Sequence, residues 1–330
     1  MIKKNICAGM LIAFAACVAS AQTPSPTTAP PVTTQTPAAV ANLETILAGA
    51  EKQVALYQET FKDLLAVETK TFERYDKNGE LKDETVIESN FFVYQSSKDE
   101  KTSAELRNVI KADGKLVPDS QARADRFLAE LQKTKTVEKE LEEIQDEGLR
   151  YDKTLKISGF TLFEAIALAS NLRPFFEFKL MGSENYQGRE VYLVSYQQTR
   201  KSPFITVNEK ESKEKGLKTD IDADLPGALK KADKFLRGKL WIDRETFQVW
   251  REDRQLTVQT AQPIVAQETV FEYAPSEFGI LVPKKITFID NSVKKISKTE
   301  EFAAVKNARV VFDYSKFRKT NVDVQIIDEP

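Results

Sequence analysis

The chain has 330 residues, of which 41% are hydrophobic and 30% are charged, and its formal net charge at pH 7 is -2. This composition predicts a folded protein with a sizeable core, and the near-neutral charge argues against a protein that binds nucleic acid. The chain contains no histidine, which excludes Ser-His-Asp and Cys-His catalytic sites, HExxH metal sites and most zinc or copper chemistry.

Residues 1–21 have the pattern of a secretory signal peptide. Two lysines precede an apolar run at residues 6–18, and the small residues Ala19-Ser20-Ala21 follow it. We predict cleavage before Gln22 and export to the periplasm or the outer envelope. The sequence Phe14-Ala15-Ala16-Cys17 resembles a bacterial lipobox, so a lipid anchor at Cys17 is an alternative to simple secretion.

The cysteines and the composition predict how the rest of the chain is organised. Cys7 and Cys17 are the only cysteines and both lie in the predicted signal peptide, so we expect a mature chain without a disulfide. Residues 22–41 are rich in proline and threonine and are predicted to be a disordered linker. Residues 42–320 are predicted to form a single domain, and residues 321–330 a C-terminal tail. No apolar stretch after the signal peptide reaches the roughly 20 residues of a membrane-spanning helix.

In the first half of the domain, helices and strands alternate. The apolar spacing predicts a helix over residues 42–63. Strands are predicted over residues 64–75 and 81–95, joined by a hairpin turn at Asn78-Gly79, and over residues 105–111, before Asp113-Gly114. Further helices are predicted over residues 119–147 and 161–170.

The second half is predicted to be almost entirely strands. Strands over residues 175–181 and 189–198 precede a polar surface excursion at residues 200–233. A hairpin follows at residues 235–258, with Leu240-Trp241-Ile242 in its first strand and a turn at residues 243–246. The remaining strands are predicted over residues 261–273, 280–290, 294–302 and 306–314. Short strands joined by tight turns predict an antiparallel meander, and therefore an α+β fold.

Two motifs in these strands resemble a known family. Residues 237–243 read RGKLWID and residues 279–283 read GILVP, with Phe271-Glu272-Tyr273 between them. They resemble secreted bacterial proteins of the LolA/LolB/RseB-like superfamily, and most closely uncharacterised exported members. The resemblance implies a large curved antiparallel sheet, an unclosed half-barrel, with helices packed on its concave face. In the lipoprotein carriers of this group the concavity holds acyl chains. The motifs are framework features, so no ligand residue is carried over from them.

Alternating apolar side chains identify candidate residues for a ligand cavity in such a half-barrel. The candidate lining residues are Phe92, Tyr94, Tyr192, Val194, Tyr196, Leu240, Ile242, Phe271 and Tyr273. Large aromatic residues in strands, including Trp241 and Trp250, also form ordinary protein cores. No catalytic residue, metal ligand or cofactor is predicted.

Other motifs do not support a site. Asp220, Asp222 and Asp224 resemble the start of a calcium loop, but Leu225 occupies the position of its glycine. Two S-x-x-K matches, at residues 212–215 and 292–295, lie among lysines and do not open a buried helix. Asp243 and its neighbour Glu245 are expected to be solvated in the hairpin turn.

The sequence therefore leaves three classes of function. The first is a non-enzymatic protein of the cell envelope that binds a lipid, an acyl chain or another apolar ligand in the half-barrel. The second is a periplasmic interaction or sensor module whose partner is another envelope protein. The third, a hydrolase, has the least support, because the chain lacks histidine. Neither nucleic acid nor a cofactor is an expected partner.

Overall fold

The computed structural model describes residues 42–62, 64–95, 103–120, 122–123, 146, 148–152, 159–162, 164–209, 219–296 and 301–319. The α-helix described over its full length is α1 (Leu43–Phe61). The strands are β1 (Leu64–Tyr75), β2 (Leu81–Gln95), β3 (Ser103–Ala112), β4 (Lys115–Leu116), β5 (Phe176–Tyr186), β6 (Arg189–Gln198), β7 (Ile205–Val207), β8 (Thr219–Ile221), β9 (Lys234–Asp243), β10 (Val249–Val258), β11 (Ile264–Pro275), β12 (Leu281–Lys295) and β13 (Phe302–Lys319).

Eleven of these strands form one curved, unclosed antiparallel sheet. Their order across the sheet is β4-β3-β2-β1-β13-β12-β11-β10-β9-β6-β5. Strands β7 and β8 form a separate parallel pair. Most neighbours in the large sheet are consecutive in the chain, as expected for a meander, and β13 returns to pair with β1. The predicted α+β class and half-barrel sheet are confirmed.

Helix α1 packs on one face of this sheet, which we call the inner face. Asn42 caps the helix, since its side chain accepts a hydrogen bond of 2.9 Å from the backbone N–H of Thr45. Its buried side chains recur every three or four residues, so they form one stripe. They are Ile46, Leu47, Ala50, Val54, Tyr57 and Phe61. The predicted helix over residues 42–63 is confirmed to within two residues.

The stripe on α1 joins two apolar clusters. Its first half, from Ile46 to Val54, packs in a cluster with side chains of β6, β9 and β10. Tyr57 and Phe61, in its second half, pack in another cluster with side chains of β1, β11, β12 and β13. The helix therefore contacts strands from both halves of the sheet and covers much of the inner face.

The hairpins predicted at Asn78-Gly79 and over residues 235–258 are present. The turn at residues 76–80 joins β1 to β2, with Gly79 at a φ of +82°, and Asp76 accepts backbone hydrogen bonds from Asn78 and Glu80. Strands β9 and β10 pair from Ile242 with Val249 to Lys234 with Val258.

Three predictions about secondary structure are wrong or lie outside the described residues. The helix predicted over residues 161–170 is not formed: the described residues there are turns and a 3-10 helix, Ile166–Leu168, preceded by Ala165 at a left-handed φ of +43°. The single strand predicted over residues 294–302 is divided between two elements, because β12 ends at Lys295 and β13 begins at Phe302; residues 297–300 lie outside the described part. The helix predicted over residues 119–147 falls almost entirely outside the described residues.

The polar excursion predicted at residues 200–233 is only partly a surface loop. It contains β7 and β8, and Ile205, Val207, Ala223, Leu225 and Leu229 from it are buried in the first apolar cluster. The many lysines and acidic residues elsewhere in the segment concealed these short apolar stretches in its composition. Residues 210–218, which carry most of its lysines, lie outside the described residues.

Candidate functional site

Five of the nine candidate lining residues meet on β6 and β9. Tyr192 pairs with Ile242 and Val194 pairs with Leu240, while Tyr196 lies opposite Gly238. Paired residues in adjacent strands point to the same face, and all five side chains belong to the cluster on the inner face. Each is at most 3% exposed, so they are packed inside the protein and do not line open space.

Phe271 and Tyr273 on β11 are also buried on the inner face, in the second cluster. The ring of Tyr273 lies 6.3 Å from that of Tyr57 on α1. The ring of Phe271 lies 6.1 Å from that of Phe160, which precedes the 3-10 helix. The space in front of these two residues is therefore occupied by α1 and by the segment around Phe160.

The two candidates on β2 are placed differently. Phe92 pairs with Leu65 and Leu106, whereas its neighbour Phe91 belongs to the inner-face cluster. Successive residues of a strand point to opposite faces, so Phe92 lies on the other side of the sheet from the remaining candidates. Tyr94 is in the backbone of β2, but its side chain lies outside the described part.

The inner face also carries buried charges that the sequence analysis missed. The guanidinium of Arg107 donates to both carboxylate oxygens of Glu68, at 2.7 and 2.9 Å, and to Glu105 at 3.0 Å. Glu105 in turn accepts two hydrogen bonds of 2.6 Å, from the backbone N–H and the hydroxyl of Thr161. Nearby, Lys70 pairs with Asp152. These bonds attach the segment before the 3-10 helix to β1 and β3.

A second buried polar group lies on β10. Glu252 is fully buried and accepts hydrogen bonds from Arg254, at 2.7 and 2.9 Å, and from the hydroxyl of Tyr196, at 2.5 Å. Burial, and then the charge of Glu252, raises the pKa of Tyr196 well above its usual 10.0, so the phenol stays a donor. Burial, and then Glu252, also raises the pKa of Glu164 well above 4.5. The protonated form of Glu164 is therefore favoured in the folded protein relative to an exposed glutamate.

Gly238 of the RGKLWID motif makes the Tyr196–Glu252 bond possible. A Cβ atom on Gly238 would lie 2.5 Å from both Cζ and Oη of Tyr196 and 2.2 Å from the backbone oxygen of Asp253. The tyrosine ring therefore crosses β9 directly over the glycine to reach β10. Glycine in a strand often marks such a close approach, and this was the available signal in the sequence.

Asp243, at the end of the same motif, is buried, contrary to our expectation for a solvated turn. One of its carboxylate oxygens accepts backbone hydrogen bonds of 2.9 Å from both Glu245 and Thr246. Burial alone would raise the pKa of Asp243, but these hydrogen bonds outweigh it and lower the pKa below its usual value. Asp243 is therefore a turn-capping residue, whereas Glu245 is exposed.

The tryptophans of the hairpin are packing residues. Trp241 points away from the inner face, where its indole N–H donates to Glu184 and the guanidinium of Arg251 lies 4.9 Å from its ring. Trp250 is buried in the second cluster, with the guanidinium of Arg189 4.6 Å from its ring. Neither tryptophan lines open space.

A cleft of about 500 Å³ opens instead at the edge of the sheet, between the start of α1 and β5. Its lining residues are Leu43, Glu44, Leu47, Glu51, Ser170, Arg173, Pro174, Phe176 and Phe178. None of them is among the candidates from the sequence, because the cleft depends on how α1 meets β5 in space. It adjoins one candidate, since the rings of Phe176 and Phe178 lie 5.7 and 6.3 Å from that of Tyr196.

A charged group forms one side of the cleft. The guanidinium of Arg173 donates to Glu44 and to Glu51, at 2.9 Å in each case. Arg173 and Glu51 are partly buried, whereas the side chain of Glu44 is 80% exposed. An exposed ion pair of this kind is worth at most about 1 kcal/mol, so Glu44 is readily displaced from Arg173.

Two classes of site are not found in the described residues. No group of three or more acidic side chains there could hold a metal ion, and Asp220, Asp222 and Asp224 form no such group. Within the same residues, no helix combines the length and the apolar character needed to cross a membrane.

The chain matches no protein-family model and no curated protein. Similar solved structures each overlap 86% of this chain and 95% of their own. One is a domain assigned to outer-membrane lipoprotein sorting, from Vibrio parahaemolyticus (8% identity, TM-score 0.37). Another is a DUF1329 family protein from Desulfovibrio piger (11%, 0.36), and a third a LolA superfamily protein from Nitrosomonas europaea (8%, 0.33). The matches thus include the LolA-like group that the motifs resemble, and the likeness at these values concerns the fold alone.

Proposed function

We propose that the chain is an exported, non-enzymatic protein of the cell envelope that binds an apolar ligand, such as a lipid or an acyl chain, in the cleft between α1 and β5. The observation that carries the proposal is the cleft itself. Its volume of about 500 Å³ lies within the range of roughly 300–1,000 Å³ that is typical of small-molecule sites.

Part of the lining of the cleft offers apolar side chains to a ligand. Leu43 and Leu47 face it from α1, and Phe176 and Phe178 face it from β5. Phe178 is only partly buried, so a bound hydrocarbon chain would remove more of its surface from water. Each square ångström of apolar surface buried in this way contributes about 25 cal/mol.

The polar side of the cleft suits the head group of an amphiphile. Arg173 offers a guanidinium there, and Glu44 is its most exposed partner. An anionic head group would compete with Glu44 for Arg173, because a guanidinium binds carboxylates and phosphates in the same two-pronged geometry. The signal-peptide pattern of residues 1–21 supports export to a compartment where lipids are transported.

The test measures binding of a fluorescent apolar probe, 1-anilinonaphthalene-8-sulfonate, and of a radiolabelled fatty acid to the purified protein. Phe178→Glu should weaken both by about tenfold or more, because it places a charge on the apolar wall. Leu81→Glu is the matched control, since Leu81 is an exposed apolar residue at the β1–β2 turn and its replacement should leave binding unchanged. Absence of binding to the parent, or equal binding to both variants, would refute the proposal.

The filled inner face favours a second candidate, a protein-interaction module without a small ligand. Seven of the nine predicted lining residues are at most 3% exposed, so the centre of the half-barrel is packed as a core. Lipid extraction of the protein from its natural host distinguishes the two functions. Acyl chains that co-purify with the parent but not with Phe178→Glu support the ligand-binding protein. A protein that is empty in gentle native mass spectrometry supports the interaction module.

A further inference from the structure

The large sheet ends at β5, which is the edge next to the cleft. Among the described strands β5 pairs with β6 alone, so no described strand pairs with the backbone N–H and C=O groups on its other side. Edge strands of this kind are templates for pairing with another strand unless they are short, bulged or covered. The first five residues of β5, Phe176–Leu180, pair regularly with β6, and a register shift follows between Leu180 and Gly182. The regular edge is therefore the segment 176–180.

The side chains of this segment alternate between charged and apolar. Glu177 and Lys179 are exposed, and their cross-strand neighbours on β6 are Gln197 and Ser195, so neither charge meets an opposite charge on that side. Phe178 and Leu180 pack against the first apolar cluster but stay only partly buried. The edge thus presents two charges of opposite sign on one face and incompletely covered apolar side chains on the other.

We propose that two copies of this chain form a symmetric dimer by antiparallel pairing of their β5 strands, with Phe178 on the two-fold axis. In that register Glu177 lies opposite Lys179 of the partner subunit. An isologous interface repeats every contact, so two such ion pairs form. Phe176 lies opposite Leu180 of the partner subunit, which extends the inner apolar face of one sheet into the other.

The charges select this register over its neighbours. The inner-face side chains of the two copies lie on the same side of the joined sheet only if the two-fold axis passes through a residue. The possible registers therefore differ in which residue lies on the axis. An axis on Glu177 or on Lys179 would set that residue against its own copy in the other subunit. Like charges directly opposite each other destabilise a strand pair. An axis on Phe178 is the arrangement within 177–179 that avoids this repulsion.

The expected dimer is weak and depends on concentration. Five paired residues on each side bury less than the roughly 1,600 Å² of a standard interface. Pairing would also bring the clefts of the two copies next to each other, because Phe176 and Phe178 line the cleft. The dimer does not depend on the proposed ligand, since its contacts are strand pairing and ion pairs.

Sedimentation equilibrium of the full chain over a wide concentration range tests the dimer. The parent should dimerise, and Glu177→Lys and Lys179→Glu should each weaken the dimer by about tenfold or more, because each sets like charges opposite one another twice. The double variant Glu177→Lys/Lys179→Glu should dimerise nearly as tightly as the parent, since the ion pairs are restored with exchanged signs.

Lys239→Glu is the matched control. Lys239 is exposed on β9, an interior strand, so the same change of charge there should leave the dimer unaffected. Thermal unfolding of each variant shows that it is folded. A parent that is monomeric at every concentration would overturn the proposal, as would single variants that dimerise like the parent or a double variant that fails to recover.

Discussion

Replacing Gly238 with alanine tests whether the RGKLWID motif is a packing device. The added Cβ atom would lie 2.2 Å from the backbone oxygen of Asp253 on β10 and 2.5 Å from Cζ and Oη of Tyr196. The carbonyl belongs to a paired strand and cannot rotate away. The tyrosine ring would therefore have to leave its place over β9, and β9 would have to move away from β10.

The structure gives the size of the effect. Overpacking of a buried site costs about 1–3 kcal/mol. Displacing Tyr196 also removes its 2.5 Å hydrogen bond to Glu252, and a hydrogen bond to a charged group contributes about 1.5–3 kcal/mol. We therefore expect Gly238→Ala to lower the free energy of unfolding by about 2.5–6 kcal/mol. Tyr196→Phe removes the hydrogen bond alone and should cost about 1.5–3 kcal/mol.

Urea unfolding followed by circular dichroism measures these differences. Gly227→Ala is the control, because a Cβ atom there meets nothing within 4 Å, and it should change the free energy of unfolding by less than about 0.5 kcal/mol. If Gly238→Ala is as stable as the parent, the glycine does not make room for Tyr196 and our account of the motif is wrong.

Three further predictions use the same unfolding assay. A Cβ on Gly49 would lie 2.5 Å from the ring of Phe247, so Gly49→Ala should lower the free energy of unfolding by about 1–3 kcal/mol. In a Phe247→Ala background the clash is removed, and the same substitution should be stabilising because alanine has the higher helix propensity. Asp243→Ala should cost about 1.5–3 kcal/mol, and Asp243→Asn less, because the amide oxygen still accepts the turn N–H groups. The pKa of Glu164 is raised above 4.5, first by burial and then by Glu252, so stability is lost as pH rises from 4.5 toward the folded-state pKa. Glu164→Gln should remove this loss, so the variant should be more stable than the parent at neutral pH. A variant whose stability depends on pH in the same way as the parent's would contradict this assignment.

The local patterns of the sequence predicted the parts of the fold that depend on neighbouring residues. The helix over residues 42–63 and the hairpin from Phe235 to Val258 follow from apolar spacing and turn residues. The helix over residues 161–170 failed for a tertiary reason: Thr161 bonds to Glu105 on β3, and Ala165 adopts a left-handed conformation. Long-range contacts of this kind leave no periodic signal.

The candidate site was less predictable than the fold. Alternation correctly placed Tyr196 and Leu240 on one face, but it could not show that α1 fills the space in front of them. Burial of Glu68, Glu105 and Arg107 was equally hidden, because a charged residue in a strand normally indicates a solvated face. Their pairing with one another offsets the desolvation cost of burying these charges.

The hairpin motif and the cleft are physically linked through α1. Asp243 caps the turn between β9 and β10, and the turn leaves Phe247 at a left-handed φ of +59°, with its ring against Gly49 of the helix. Leu47, two residues before that contact, faces the cleft. The position of one cleft wall thus depends on a turn whose residues do not line the cleft. Asp243, at the end of the RGKLWID motif, is therefore linked through this turn and α1 to a wall of the proposed binding site.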